Sequence, residues 1–289
     1  VKNTTDALLS VVVHDFIPRE PLDNYRKLLG LSRSLALTAV SLEKLNEQIL
    51  KPNINTIVNT FLAENEHHRF NEFRYQKRKR EWLGGRIAAK LAVAEYLLSK
   101  SAPDETNWQA WQIVPDTNGK PHVVSTPNRE SKPPHISISH SGDLALALAA
   151  PLPCGIDIQK KTTTVERVQD RFAAPHELSI MNSNPKFAGM DETTKLTLLW
   201  AAKEAVRKTI DVSPLLGFKE IDLIKIIDQH HDFYLLEFAI QPGNNRMAKK
   251  THSGSTDKKI AALPEKITVP VLSFMDYAVA FAILPTQTN

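Results

Sequence analysis

The sequence predicts an α+β protein of two pseudo-duplicated halves, each a helix packed on a mainly antiparallel sheet, with a cleft between them. Three observations predict this class. The chain has 289 residues, and at roughly 150 residues per domain that accommodates two units or one duplicated unit. Helical and strand-like patterns follow one another in the same order in both halves. Two pairs of segments also echo each other, helix before strand each time. Ala88-Ala89-Lys90-Leu91-Ala92-Val93 matches Ala201-Ala202-Lys203-Glu204-Ala205-Val206, and Asp143–Ala149 matches Asp276–Ala282. The Pro151-Leu152-Pro153 linker sets the boundary, giving halves of residues 1–153 and 154–289. A cleft between two such halves is a usual place for a ligand.

The elements follow from periodicity and turn chemistry. Residues 22–50 carry a loose helical pattern that ends before Pro52. Leu83, Ile87, Leu91, Ala94 and Leu98 recur at helical spacing, predicting a helix that opens near Trp82 and closes before Pro103. Trp108–Val114 alternates like a strand, Asp116–Pro121 is a turn cluster, and His135–Ser139 reads as the next strand. Ser141-Gly142-Asp143 turns the chain into the strand Leu144–Ala149, and a further strand spans Gly155–Gln159. The second half predicts a helix over Thr194–Ile210 and strands over Glu220–Ile227, Tyr234–Ile240 and Tyr277–Ile283. Ser183–Thr193 and the polar stretch Gln241–Lys259 are expected to be loops.

Composition bounds the function. Hydrophobic residues at 42% and charged residues at 24% fit a globular chain with a real core rather than a disordered one. The formal charge is +4, from 36 basic and 32 acidic residues, which points mildly to anionic partners. The single cysteine, Cys154, excludes an internal disulfide framework and a cysteine-rich zinc module, and it fits a reducing compartment. No apolar run reaches the roughly 18 residues that span a bilayer, and no secretory signal pattern opens the chain. The expected address is the cytoplasm, with no membrane partner. A Walker A loop, a dinucleotide-binding glycine fingerprint, a His-Glu-x-x-His helix and a Gly-x-Ser-x-Gly elbow are all absent from the sequence.

Four segments could carry chemistry. In Gly155-Ile156-Asp157-Ile158-Gln159, alternate side chains share a face, so Asp157 and Gln159 point one way. They offer hard oxygen ligands suited to magnesium, or simply a polar solvent face. In Trp200–Lys208, Trp200, Glu204 and Lys208 form a row four residues apart with Lys203 beside it. Such a carboxylate could bind metal, act as a base or make surface ion pairs. The basic stretch Arg69–Lys90 runs into Gly84-Gly85-Arg86 and suits phosphate through cations and backbone N–H groups, or is a solvated charged face. Ser139 and His140 lie where a strand enters a tight turn, a place to hold an anion or an ordinary hairpin end.

Read in order, Arg80–Lys90, Gly119-Lys120-Pro121, Ile138–Gly142, Gly155–Ile158, Arg171-Phe172 with Glu177, and Trp200-x-x-Lys203-Glu204-x-x-x-Lys208 resemble the Sfp-type 4'-phosphopantetheinyl transferases. The resemblance covers about Arg80 to Ile210. It implies a monomeric, magnesium-dependent enzyme that moves the phosphopantetheine arm of coenzyme A to a serine of an apo acyl or peptidyl carrier protein, releasing adenosine 3',5'-bisphosphate. It further implies that Asp157 and Glu204 bind magnesium, with Gln159 standing where many members have glutamate. Glu204 would also relay the serine proton, and Lys208 would stabilise pyrophosphate charge, with Lys203 near the same phosphates. Ser139 and His140 match residues that hold the 3'-phosphate. Lys120 and Pro121 match the loop beside adenine and ribose, and Arg86 and Arg80 match coenzyme-binding arginines. Residues 160–172 would border the carrier surface. The rival readings are a nucleic-acid-binding module using the 69–90 face, and an inactive coenzyme A-binding scaffold.

Overall fold

The structure, a computed structural model, describes residues 11–13, 19–31, 35–49, 54–98, 108–125, 132–210, 212, 214–227, 233–241 and 263–284. The expected 241–259 loop lies outside these residues apart from Gln241. The chain forms two compact units, Val1–Ile158 and Gln159–Asn289, so the division falls five residues beyond the Pro151–Pro153 linker and places Asp157 in the first unit.

In the first unit the elements are β1 (Val12–Val13), α1 (Arg19–Leu28), β2 (Ala36–Ser41), α2 (Leu42–Ile49), α3 (Ile54–Phe61), α4 (Glu64–Glu72) and α5 (Gln76–Leu98). They are followed by β3 (Trp111–Pro115), β4 (Pro121–Ser125), β5 (His135–Ser141), β6 (Leu144–Ala150) and the start of β7 (Cys154–Lys160). The main sheet has the order β1-β2-β6-β5, and every pairing in it is antiparallel. A separate antiparallel ribbon joins β3 and β4. Helix α5 lies across β2 and β6, burying Leu83, Ile87, Ala88, Ala89, Ala92, Val93 and Ala94. Small residues let the two surfaces approach closely: a Cβ added at Gly84 would stand 2.3 Å from Leu42 Cδ2 and 3.4 Å from Ala145 Cβ.

Two expectations for this unit are corrected. Residues 22–50 are not one helical stretch, because Ala36–Ser41 is a central strand whose small and branched residues are largely buried. Helix α5 begins at Gln76, so Gly84 and Gly85 sit mid-helix, and the backbone approach they permit is to the unit's own core.

The second unit continues β7 and adds α6 (Thr164–Arg167), α7 (Pro175–Ser183), α8 (Pro185–Ala188), α9 (Glu192–Thr209), β8 (Ile221–Ile227), β9 (Tyr234–Ile240), β10 (Lys266–Phe274) and β11 (Tyr277–Ile283). Strands β11-β10-β9-β8 are neighbours in that order, again antiparallel, and α9 packs on β10 and β11. Pro185 starts a short helix inside the expected 183–193 loop, with Asn184 Oδ1 accepting the Lys186 N–H at its N-terminus. Strand β10 was not anticipated, because Pro270 reads against a central strand. Its register with β11 begins only at Val271, while on the other side Pro270 pairs with Leu235 of β9.

The two units share local construction. Gly142 (φ 56°) and Met275 (φ 49°) take the same left-handed position before Asp143 and Asp276 in the β5–β6 and β10–β11 turns. The Asp143 carbonyl accepts the Leu42 N–H, and the Asp276 carbonyl accepts the Lys161 N–H, both at 2.7 Å. Among the described residues no helix is long and apolar enough to cross a membrane.

Candidate active site

Strand β7 carries Asp157 between Ile156 and Ile158, which are fully buried. Asp157 is itself only 2% exposed, which removes the reading of a polar solvent face. A buried carboxylate needs partners, and Ser139 supplies one: its Oγ–H donates to Asp157 Oδ1 at 2.8 Å. The same hydroxyl oxygen accepts the Ile158 N–H at 3.3 Å, and Ser137 Oγ accepts the Ile156 N–H at 3.0 Å. Alternate residues of β5 thus grip alternate residues of β7. Ser139, expected at a phosphate, is therefore a buried partner of Asp157 within the first unit. Gln159, two residues on, is half-buried.

His140 follows Ser139 and is exposed, with Nδ1 4.0 Å from Glu81 Oε1 on α5. Glu81 is also near Lys77 and Arg78, at 3.9 and 3.7 Å. Arg86 lies further along α5, packed over the Trp82 ring at 4.8 Å, with its Nε 3.9 Å from Glu66 Oε1. Burial draws its guanidinium pKa down to about 10, against the opposing pull of Glu66. It remains a cation at neutral pH. The Nε atoms of Arg80 and Arg86 are buried without a hydrogen bond.

Lys120 and Pro121 close the β3–β4 hairpin. Asp116 Oδ1 accepts the N–H groups of Asn118 (2.8 Å) and Lys120 (2.9 Å), and Gly119 takes φ 84°, a conformation that glycine tolerates without strain. The turn holds both residues at the exposed end of the ribbon, both half-buried.

In the second unit, α9 starts at an Asp191 cap whose Oδ1 accepts the Thr194 N–H at 2.8 Å. Trp200 packs edge-on to Phe172, at 4.8 Å, and against Phe218, at 4.9 Å. Glu204 and Lys208 are half-buried on this helix. Glu204 Oε1 accepts from Arg207 Nη1 at 2.9 Å, and Arg207 is in turn fixed by its Nε donating to the Leu216 carbonyl at 2.7 Å. The sequence reading gave Arg207 no role; its i,i+3 spacing from Glu204 was the available signal.

Lys203 points into the unit's interior. Its side chain is 1% exposed, and its ammonium donates to Glu177 Oε2 (2.7 Å), the Phe172 carbonyl (2.7 Å) and the Phe218 carbonyl (3.2 Å). An ammonium has three donors, and all three are taken by oxygens of its own unit. Glu177 also accepts the Ala174 N–H at 2.8 Å and the Leu223 N–H at 2.7 Å. Burial lowers the Lys203 pKa, and Glu177 opposes that shift.

Among the described residues no group of three or more His, Cys, Asp or Glu gathers as a metal cage. Magnesium does not require one: it keeps several waters and takes one or two carboxylates plus phosphate oxygens. Asp157, Gln159 and Glu204 are hard oxygen donors, and their chemistry fits that ion.

Comparison with known proteins places the chain in a family. The sequence model of the 4'-phosphopantetheinyl transferase superfamily matches residues 153–281. A holo-[acyl-carrier-protein] synthase of Geobacillus sp. (strain WCH70) is 37% identical over 113 residues, covering 39% of this chain and 90% of the relative. Enterobactin synthase component D of Escherichia coli (strain K12) is 27% identical over 176 residues, covering 57% of this chain and 74% of the relative. Among solved structures, a holo-(acyl-carrier-protein) synthase from Bacillus anthracis in complex with CoA aligns with a TM-score of 0.33 at 23% identity, covering 40% of this chain and 91% of that one. The matched region contains β7 with Asp157 and Gln159, Phe172 and Glu177, and helix α9 with Lys203, Glu204 and Lys208. On the identity and coverage of the Geobacillus relative, the chain belongs to the 4'-phosphopantetheinyl transferase superfamily.

Proposed function

We propose that this transferase uses Asp157 and Glu204 as magnesium-binding carboxylates and Lys208 as the cation nearest the coenzyme A pyrophosphate, with an apo carrier protein as acceptor. The phosphopantetheinyl transferase class follows from family membership, with coenzyme A as donor. The observation that carries the assignment is the burial of the Asp157 carboxylate on β7. A 2%-exposed carboxylate is costly unless hydrogen-bonded or bound to a cation, and the Ser139 hydroxyl fixes its Oδ1 on the strand.

In the reaction, the carrier serine oxygen bonds to the pantetheine-bearing phosphorus, and the bridging P–O bond breaks, leaving adenosine 3',5'-bisphosphate. Glu204, steadied by Arg207, receives the serine proton and passes it to water. Lys208 offsets charge on the pyrophosphate. A bound magnesium ion would neutralise the phosphate oxygens as the charge shifts. Arg86 and Arg80 hold coenzyme phosphate, His140 faces the 3'-phosphate, and Lys120 with Pro121 borders adenine and ribose. Positioning and electrostatics supply most of the rate in such a displacement. The acceptor we envisage is a small acidic helical carrier that meets residues 160–172, with the enzyme acting as a monomer in the cytoplasm.

The test is to incubate the protein with coenzyme A, magnesium and a panel of apo carriers, then to weigh the carriers. A phosphopantetheine mass on a serine is expected. Asp157→Ala and Glu204→Ala should each abolish the gain while circular dichroism stays native. Full transfer by either variant would overturn the metal assignment.

A further inference from the structure

The Lys203–Glu177 network has a counterpart in the first unit. Lys90 is fully buried and donates to Glu66 Oε2 and to the Phe61 carbonyl, each at 2.5 Å. Glu66 Oε2 accepts the Ala63 N–H at 2.9 Å, and Oε1 accepts the Ile113 N–H at 3.0 Å. The second unit repeats each link with Lys203, Glu177, Phe172, Ala174 and Leu223. The sequence carries the same spacing twice: Phe61-x-Ala63-x-x-Glu66 before Ala88-Ala89-Lys90, and Phe172-x-Ala174-x-x-Glu177 before Ala201-Ala202-Lys203.

In each unit a single ion pair ties the long helix to the start of a shorter helix, to a strand backbone and to one further carbonyl, that of Phe61 at the end of α3 in the first unit and that of Phe172 in the second. A buried ion pair is weak evidence for stability, because apolar side chains of similar volume often replace one without loss. It does impose direction: oxygens in a fixed frame, three around Lys203 and two around Lys90, accept an ammonium in one helix rotation and one axial register. On α9 the next residue is Glu204, turned about 100° from the inward Lys203, and Lys208 lies one turn further along the same face. In α5 the matching position after Lys90 is Leu91. There the residue of interest is Arg86, one turn before Lys90, whose Nε is 3.9 Å from Glu66 Oε1.

We propose that Lys203 and Glu177 are positioning residues for Glu204 and Lys208, and that Lys90 and Glu66 are positioning residues for Arg86. One buried device is used twice: in the second unit it sets the geometry of the chemical step, and in the first it sets affinity for coenzyme A. The inference rests on the site reading above.

The experiment compares two double variants that remove both charges while keeping an acceptor for the backbone N–H groups, Lys203→Met/Glu177→Gln and Lys90→Met/Glu66→Gln. Each is assayed well below its own melting temperature. Misplacement of a reacting group by about 1 Å costs up to about 100-fold. The second-unit variant should lose about 10- to 100-fold in kcat, with KM for coenzyme A within about threefold of wild type. The first-unit variant should raise KM for coenzyme A, and its Kd by calorimetry without carrier, about tenfold with kcat little changed. If a double variant does not fold, Glu177→Asp or Glu66→Asp alone, which keeps both charges and shortens the reach, should show the same split at smaller size. Glu204→Ala and Arg86→Ala serve as controls. Failure of these controls to separate kcat from coenzyme affinity overturns the site reading. If the controls separate them, a folded variant pair that moves both parameters alike, or neither, overturns the positioning inference.

Discussion

Gln159 and Cys154 stand near the ends of one strand, and each makes a claim at the scale of a single side chain. With glutamine at 159, the proposed magnesium set has one negative charge fewer than an all-carboxylate version. Gln159→Glu should keep transfer activity and lower the magnesium concentration giving half-maximal rate; a higher requirement would contradict the assignment. Cys154 is fully buried, and burial pushes its thiol pKa up to about 12. Thiolate, not thiol, is the nucleophile. At pH 8 the folded protein should therefore resist a thiol reagent, and the same reagent should label one site stoichiometrically in denaturant. Labelling of the native protein as fast as of the denatured chain would show that the strand opens. The sequence identified both residues, because strand alternation and a lone cysteine are visible locally. It missed the role of Ser139 as partner of Asp157, since a hydrogen bond between separate strands leaves no periodic trace.

At the scale of elements, α5 shows what a local pattern can and cannot predict. Of the expected stripe Leu83, Ile87, Leu91, Ala94 and Leu98, the first two and Ala94 are buried, Leu91 is half-buried and the Leu98 side chain lies outside the described residues, while the helix extends back to Gln76 through residues whose charges mask the pattern. The Gly84-Gly85 pair reads locally as a helix start, whereas packing explains it instead. Alanine is favoured over glycine in a helix by about 1 kcal/mol. A Cβ at Gly84, however, would meet buried Leu42 at 2.3 Å with Ala145 and Leu45 close behind. Gly84→Ala should therefore destabilise by about 1–2 kcal/mol net, as overpacking outweighs propensity. A shift of the urea midpoint to lower concentration at unchanged m-value checks this. The strand β10 escaped notice for the complementary reason: Pro270 is a strong local signal against a strand, yet it pairs with Leu235 of β9 inside the sheet.

The whole molecule is two units built on one plan, and its stability should reflect that. Removing one member of a buried pair leaves an uncompensated charge and costs about 3–5 kcal/mol. Lys90→Met and Lys203→Met should then destabilise by similar amounts of that order, measured by denaturant unfolding, although one lysine lies within the region matched by the family and the other does not. A small effect in one and a large effect in the other would mean that the two networks only look alike. From the sequence alone came the α+β class, the repeated helix-then-strand order, most strand positions, and the carboxylates and lysine of the transferase signature. These are properties of spacing along the chain, and period and turn chemistry encode them locally. Only the tertiary structure decided that Lys203 is buried against Glu177, that Asp157 is buried against Ser139, and that Glu66 answers Lys90. Those facts depend on which distant backbone groups and side chains lose water together, and no local pattern specifies the partners with which a buried charge is satisfied.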